Sequence, residues 1–142
     1  MHRQLMHRHR IGAGVLCLAS VFILLAYAGY RSRLPDWWAA NGGGIPYVVF
    51  WMTFAFVIWP RAELVNRIAI LVLGATCLIE IGQLWNPEPL ASFRATRLGA
   101  GLLGTSFHWD DFPPYFLGAA VGWGLLHWLC RGQANADHAT QD

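Results

Sequence analysis

Four apolar segments decide the kind of fold that this chain can adopt. Residues 11–30 contain no charged side chain, and residues 45–59, 65–85 and 114–130 are also mostly apolar. A transmembrane helix needs about 20 mostly apolar residues, because it must cross a hydrocarbon layer about 30 Å thick. Backbone groups in lipid must find their hydrogen bonds within the same segment, which favours helices. The sequence therefore predicts an all-α integral membrane four-helix bundle.

The composition excludes other classes of protein. Only 13% of the residues are charged, against 56% that are hydrophobic. A soluble domain carries about 25% charged residues, and a small domain has too much surface to cover with fewer. A soluble enzyme and a disordered chain are therefore set aside. All ten basic residues are arginines spread along the chain, which argues against a nucleic-acid partner, since such a partner needs them on one face.

The arginines also predict the orientation, because cytoplasmic segments of membrane proteins carry an excess of positive charge. With the N-terminus inside, the inner side holds six arginines and the outer side holds four. The prediction is a multi-pass membrane protein with both termini in the cytoplasm. Residues 1–10 form its basic N-terminus, residues 11–130 its membrane domain, and residues 131–142 a flexible tail. The inner set is Arg3, Arg8, Arg10, Arg61, Arg67 and Arg131, and the outer set is Arg31, Arg33, Arg94 and Arg97.

The first apolar segment has a second interpretation. Residues 1–10 are basic, residues 11–25 are apolar, and Ala26-Tyr27-Ala28 matches a signal-peptidase site. Cleavage there would leave three spans. The apolar run is longer than a signal peptide needs, so the uncleaved span is preferred.

A long semi-apolar outer loop, residues 86–113, separates the third and fourth spans. Loops of this length are usually functional or disordered, and this one is too apolar for disorder. We predict a short interfacial helix or a re-entrant piece, with Arg94 and Arg97 three residues apart on one face. Three glycines, Gly99, Gly101 and Gly104, are expected to loosen the chain after it.

Glu80 is the most informative polar residue, because it lies inside the third span. An ionisable group at membrane depth costs several kcal/mol unless it is paired or hydrated, and it often marks a functional site. Gln83 follows three residues later on the same helix face. The alternative is a hydrogen-bonded pair that only holds two helices together.

Two aspartates stand just before the fourth span. Asp110 or Asp111 is expected to cap the helix by accepting backbone N–H bonds. Tyr115 lies one helical turn beyond Asp111, on the side expected to face Glu80. The predicted ligand-binding site, an outward-facing polar pocket, comprises Glu80, Gln83, Arg94, Arg97, Asp111 and Tyr115.

No set of residues in the sequence indicates a catalytic centre, a metal site or a cofactor. The three cysteines, Cys17, Cys77 and Cys130, lie in apolar stretches and match no metal or redox spacing. The N-terminal histidines, His2, His7 and His9, are interpreted as part of a basic, flexible N-terminus. The pattern G-x-x-x-G at Gly118 and Gly122 predicts close helix packing, either within the bundle or in a dimer.

The spacing of several residues resembles a known family. Leu103-Gly104, Phe107, Trp109, Asp111, Tyr115 and Gly118 read as L-G-x-x-F-x-W-x-D-x-x-x-Y-x-x-G, and Glu80 and Gln83 precede them as E-x-x-Q. This order resembles the bacterial membrane family catalogued as domain of unknown function 2809, and also the VanZ-like proteins. The resemblance implies a location in the bacterial inner membrane. The resemblance covers roughly residues 11–129. One departure is the segment Gly43-Gly44-Ile45-Pro46, where the family carries a Gly-Asp pair.

Two functions remain in competition at the level of the sequence. The first is a cell-envelope membrane protein whose pocket binds a lipid headgroup or a lipid-linked glycan, as the resemblance to VanZ-like proteins also implies. The second is a structural or assembly subunit of a larger membrane complex, with a membrane-protein partner or a second copy of the chain. A membrane-embedded enzyme is a weaker third interpretation, since the sequence offers it no nucleophile with a base.

Overall fold

The computed structural model describes residues 2–85, 87–104 and 106–139, and within these ranges the side chains between residues 6 and 132. No strand occurs in this part of the chain, and 3₁₀ turns lie at Arg31–Arg33, Ala62–Leu64 and Trp109–Asp111. The helices are α1 (His2–Tyr30), α2 (Asp36–Asn41), α3 (Gly44–Ile58), α4 (Val65–Gly82), α5 (Glu88–Arg94), α6 (Arg97–Leu103) and α7 (Phe112–Ala139).

Three helical stretches are long and apolar enough to cross a membrane: Met6–Arg33, Asp36–Ile58 and Ala62–Gly82. Their outer faces carry large apolar side chains that would be costly in water. Phe22 on α1 and Ile70 on α4, for example, are 71% and 72% exposed. These faces indicate a membrane location. The predicted fourth span lies within α7, which is less apolar and does not join the three candidates.

The four long helices run in alternating directions. The start of α1 lies beside the end of α3, where the Arg10 Nε donates to the Val57 carbonyl at 3.1 Å. The end of α1 lies beside the chain just before α3, where the Tyr27 hydroxyl donates to the Ala39 carbonyl at 2.8 Å. Helices α3 and α7 form the centre, with α1 and α4 packed against both. The ends of α1 and α4 and the starts of α3 and α7 therefore meet at one end of the bundle, called here the upper end.

Helices α3 and α7 approach closely because glycines face the contact. A Cβ at Gly118 would lie 2.7 Å from the Ile45 carbonyl oxygen, and one at Gly122 would lie 2.8 Å from the Met52 sulfur. The core beside them is apolar, with Val48, Met52, Phe56 and Leu126 fully buried. The G-x-x-x-G face is thus used for packing within the bundle, one of the two roles predicted for it.

The outer loop differs from its predicted form. It contains two short helices, α5 and α6, and Arg94 and Arg97 belong to different ones. The Thr96 hydroxyl caps α6 by accepting the Gly99 N–H at 3.0 Å, so a new helix begins at Arg97, after the helix that contains Arg94 has ended. The prediction that they share one helix face is wrong. Gly99 lies inside α6, and Gly104 ends it with a φ of 68°.

The two chain ends also extend helices. Helix α1 begins at His2, within the segment predicted as a flexible basic N-terminus. Helix α7 continues past Cys130 to Ala139, so most of the predicted flexible tail is helical. The remaining tail residues, 140–142, lie outside the described residues, as does Met1. Helix α2 was not predicted.

Candidate ligand-binding site

Glu80 lies at the upper end of α4 with only 1% of its surface exposed. Its Oε1 accepts the backbone N–H of His108 at 3.0 Å. Its Oε2 accepts the Tyr115 hydroxyl at 3.0 Å and the Gln83 Nε2 at 3.1 Å. Three donors therefore satisfy a carboxyl group that would otherwise be costly inside the bundle. The predicted contact between Glu80 and Tyr115 is confirmed.

Gln83 links this network to the outer loop. Its Nε2 also donates to the Leu103 carbonyl at 2.7 Å, at the end of α6. The next residue, Gly104, has a positive φ, and a Cβ there would collide with the Gln83 amide. Glycine meets both requirements, because it adopts positive φ without steric cost and lets the backbone approach closely. The amide of Gln83 is thereby held between α4 and the end of α6.

A cleft of about 650 Å³ opens at the upper end of the bundle. Glu80, Gln83, Asp111 and Tyr115 all line it, so the structure brings together four of the six predicted site residues. Its wall also includes side chains from α1, α2 and α3, which the sequence prediction did not place there. Further polar side chains on the wall come from these helices, from α4, from the outer loop and from two 3₁₀ turns: Tyr27, Arg31, Asn41, Tyr47, Thr76, Ser106, His108 and Asp110.

The two loop arginines do not line the cleft. Arg94 is buried, and its Nη2 donates to the Gly82 carbonyl at 3.3 Å, at the end of α4. A cation near a helix C-terminus is favourable, because it meets unsatisfied carbonyl groups and the negative end of the helix dipole. Arg97 is exposed on the first turn of α6. The prediction that an arginine joins Glu80 in the pocket is therefore not met by either residue.

Asp111 precedes α7, yet none of the hydrogen bonds among the described residues shows its carboxylate capping that helix. The second and third residues of α7 are Pro113 and Pro114, which have no N–H to donate. The capping prediction is wrong for this chemical reason. The carboxylate instead lines the cleft, half-buried. Burial raises the pKa of Asp111, the charge of Glu80 raises it further, and His108 lowers it while Asp110 raises it.

This raised pKa predicts a pH dependence of stability. Between the unfolded pKa of Asp111, about 3.9, and its higher folded value, the folded state binds more protons than the unfolded state. The free energy of unfolding therefore falls as the pH rises through that window. We expect Asp111→Asn to remove this loss, so that the variant gains stability relative to the parent as the pH rises above about 4. Thermal unfolding in detergent at several pH values measures it, and parallel curves would contradict it.

The residues contributed by α1, by the 3₁₀ turn after it, and by α2 and α3 were missed because nothing in the local sequence marks them. Tyr47 lies in an apolar helix, and only the fold shows its hydroxyl donating to the Leu102 carbonyl at 2.8 Å. Arg31 looked like a topology signal just after the first span. One signal was available: both residues lie near the ends of helices that were predicted to meet on the outer side.

The site offers polar and acidic groups rather than a metal centre. Within the ranges that the structure describes, no group of three or more histidines, cysteines or acids is arranged to hold a metal ion. The cleft walls instead carry carboxylates, hydroxyls and amides. Such groups suit hydrogen bonding to a polar ligand.

Comparison with known proteins gives one result. No curated protein and no solved structure matches the chain. The sequence pattern of one family, described as a protein of unknown function (DUF2809), matches residues 33–119. This range is more than half of the chain, and it includes Glu80, Gln83, Asp111 and Tyr115 but not Arg31. The chain therefore belongs to the DUF2809 family.

Proposed function

We propose that this protein binds the polar headgroup of a membrane lipid or of a lipid-linked glycan. The observation that carries the proposal is the cleft of about 650 Å³ at one end of an otherwise apolar bundle. Pockets of roughly 300–1,000 Å³ are typical of small-ligand sites. The end of a membrane helix lies at the level of the lipid headgroups, so a polar cleft there meets headgroups first.

The chemistry of the wall supports the same proposal. Glu80 is held by three donors from three parts of the chain, which fixes the position of its carboxyl group. Asp111 and Tyr115 stand beside it on the wall of the cleft. Polar side chains held in place at membrane depth are expensive and usually serve a purpose. A seam that only joined helices would not need a cavity of this size.

In the proposed topology α7 is the fourth span. It packs along α3 from Gly118 beside Ile45 to Gly122 beside Met52, and a Cβ at Gly12 near the start of α1 would meet Leu129. Because α7 packs against the other helices at both ends of the bundle, it crosses the membrane wherever α3 does. The proposed location is the inner membrane, with both termini in the cytoplasm and the cleft on the outer face, because the arginines favour that direction.

Reporter fusions test this topology. Fusions after Ala95, in the outer loop, and after Gly132, in α7, are expected to report opposite sides of the membrane. The loop fusion should be periplasmic and the Gly132 fusion cytoplasmic. A periplasmic signal at Gly132 would overturn the four-span arrangement, and an N-terminus starting at Gly29 would instead support a cleaved signal peptide.

Lipid binding tests the function. The full chain is purified in a mild detergent, incubated with a bacterial polar lipid extract, and the retained lipids are counted by native mass spectrometry. We expect Glu80→Gln, Asp111→Ala and Tyr115→Phe each to reduce retention several-fold. Double variants should lose less than the sum of the single losses, as residues that act as one unit do.

A matched control separates the site from general charge effects. Glu88 is an exposed acid in the first turn of α5 and does not line the cleft. Glu88→Gln removes the same charge and should leave retention unchanged. Equal retention by all site variants, or losses that follow only the amount of folded protein, would reject the proposal and reduce the site to a polar seam between helices.

The alternative, an assembly subunit of a membrane complex, had its main support in the G-x-x-x-G pattern. In the structure Gly118 and Gly122 both face α3. That face is covered within the bundle, so it offers no small-residue surface to a partner. The prediction of a partner protein or of a second copy of the chain is therefore not assigned to any surface of the structure.

A further inference from the structure

The cleft carries a strong excess of negative groups. Glu80, Asp110 and Asp111 all line it, and Arg31 is the one arginine on its wall among the side chains that the structure describes. The chain has no lysine, so lysine supplies no second positive charge there. The two loop arginines that were expected in this pocket do not line it, so Arg31 is the arginine left to offset these acids.

A buried hydrogen-bond acceptor on the same wall indicates a ligand that carries hydrogen-bond donors. Gln83 is 9% exposed, and its Oε1 accepts no hydrogen bond in the ranges that the structure describes. The amide cannot be reversed to remove the problem, because its Nε2 donates both to Glu80 and to the Leu103 carbonyl. Buried acceptors without a donor are costly. The wall therefore offers carboxylate and amide oxygens that need N–H or O–H donors.

Building on the proposed function, we propose that the ligand is a headgroup with a primary ammonium group. The ammonium group lies between Asp110 and Asp111, where it supplies three N–H donors and one positive charge. Arg31 stands on the α1 side of the same cleft and pairs with the phosphate that such a headgroup carries. A phosphoethanolamine group meets both requirements, since it joins a cation and an anion through two carbons.

Three lipids with identical acyl chains separate the possibilities. Dioleoyl phosphatidylethanolamine has N–H donors, the phosphatidylcholine has the charge but no N–H, and the phosphatidylglycerol has hydroxyls and a net negative charge. Each is titrated against the full chain in detergent, and bound lipid is counted by native mass spectrometry. We expect the ethanolamine lipid to bind at least fivefold more tightly than either of the others.

Variants assign the preference to the acids. Asp110→Asn with Asp111→Asn should reduce the preference to less than twofold, and Glu88→Gln should leave it unchanged. Arg31→Gln should weaken binding of the ethanolamine lipid without removing its preference over the choline lipid. Soluble O-phosphoethanolamine should compete with the lipid, whereas glucosamine should not. Competition by glucosamine alone would overturn the phospholipid assignment in favour of an amino sugar.

The outcomes distinguish the two proposals. If all three lipids bind equally and Glu80→Gln weakens them all, the ammonium assignment is wrong while the headgroup function stands. If none of them binds through the cleft, and no lipid of the bacterial extract does so either, both proposals fail. A preference for the ethanolamine lipid that is unchanged in the double variant Asp110→Asn with Asp111→Asn also rejects the assignment. The two acids would then not be the groups that recognise the ammonium group.

Discussion

Replacing Glu80 with alanine is expected to lower the free energy of unfolding by about 3 kcal/mol. The change removes the acceptor of the His108 N–H, the Tyr115 hydroxyl and one Gln83 N–H. Each donor left unsatisfied in the interior costs about 1–3 kcal/mol, less where water can reach it. Reversible unfolding in mixed detergent micelles measures the loss.

Glu80→Gln is the matched variant. It keeps one carbonyl oxygen for the His108 N–H, and its amide can donate to the Tyr115 oxygen, so we expect a loss of about 1 kcal/mol. The chain should still insert and fold. If Glu80→Ala is as stable as Glu80→Gln, the carboxylate does not hold the three segments together.

The second large effect concerns the contact between α3 and α7. In Gly118→Ala the new methyl group would lie 2.7 Å from the Ile45 carbonyl oxygen and 3.0 Å from the Val48 Cβ. Because the first of these atoms belongs to the backbone, the helices must separate. Overpacking of this kind costs about 1–3 kcal/mol, and we expect about 2 kcal/mol here.

Gly124→Ala is the control on the same helix. A Cβ at Gly124 meets nothing within 4 Å, so this variant should gain up to about 1 kcal/mol from helix propensity. Gly122→Ala should fall between the two, since the Met52 side chain that it meets is flexible. Unfolding in detergent compares the three, and a Gly118→Ala variant as stable as Gly124→Ala would show that the contact is not tight.

The long helices could be predicted from the sequence because their signals are local. Apolar runs of the right length mark α1, α3 and α4, and prolines mark the first turns of α3 and α7. The acid Glu80 inside an apolar span indicated where the site lies. Gln83 follows Glu80 by about one helical turn, and Tyr115 follows Asp111 by one turn. All four side chains line the same cleft. These inferences needed only helix geometry.

The errors have chemical and tertiary causes. The capping role of Asp111 failed because Pro113 and Pro114 have no N–H to offer, which was readable from the sequence. The prediction that Arg94 and Arg97 share a helix face failed because Thr96 caps a new helix just before Arg97. This cap was not recognised within the semi-apolar loop. The contribution of Arg31 and Tyr47 depends on how the helices pack, so no local pattern could reveal it.

The hydrogen bonds of Glu80 also impose an order on biosynthesis. Its partners His108 and Tyr115 lie 28 and 35 residues later in the chain. Because α4 precedes both donors in the chain, its carboxyl group can reach the membrane before His108 and Tyr115 are in place. Its position near the upper end of α4 lets the nascent helix keep that group at the hydrated interface until α7 follows. The site is therefore complete only after α7 has been synthesised, and a chain interrupted before residue 108 would hold the acid with Gln83 alone of its three donors.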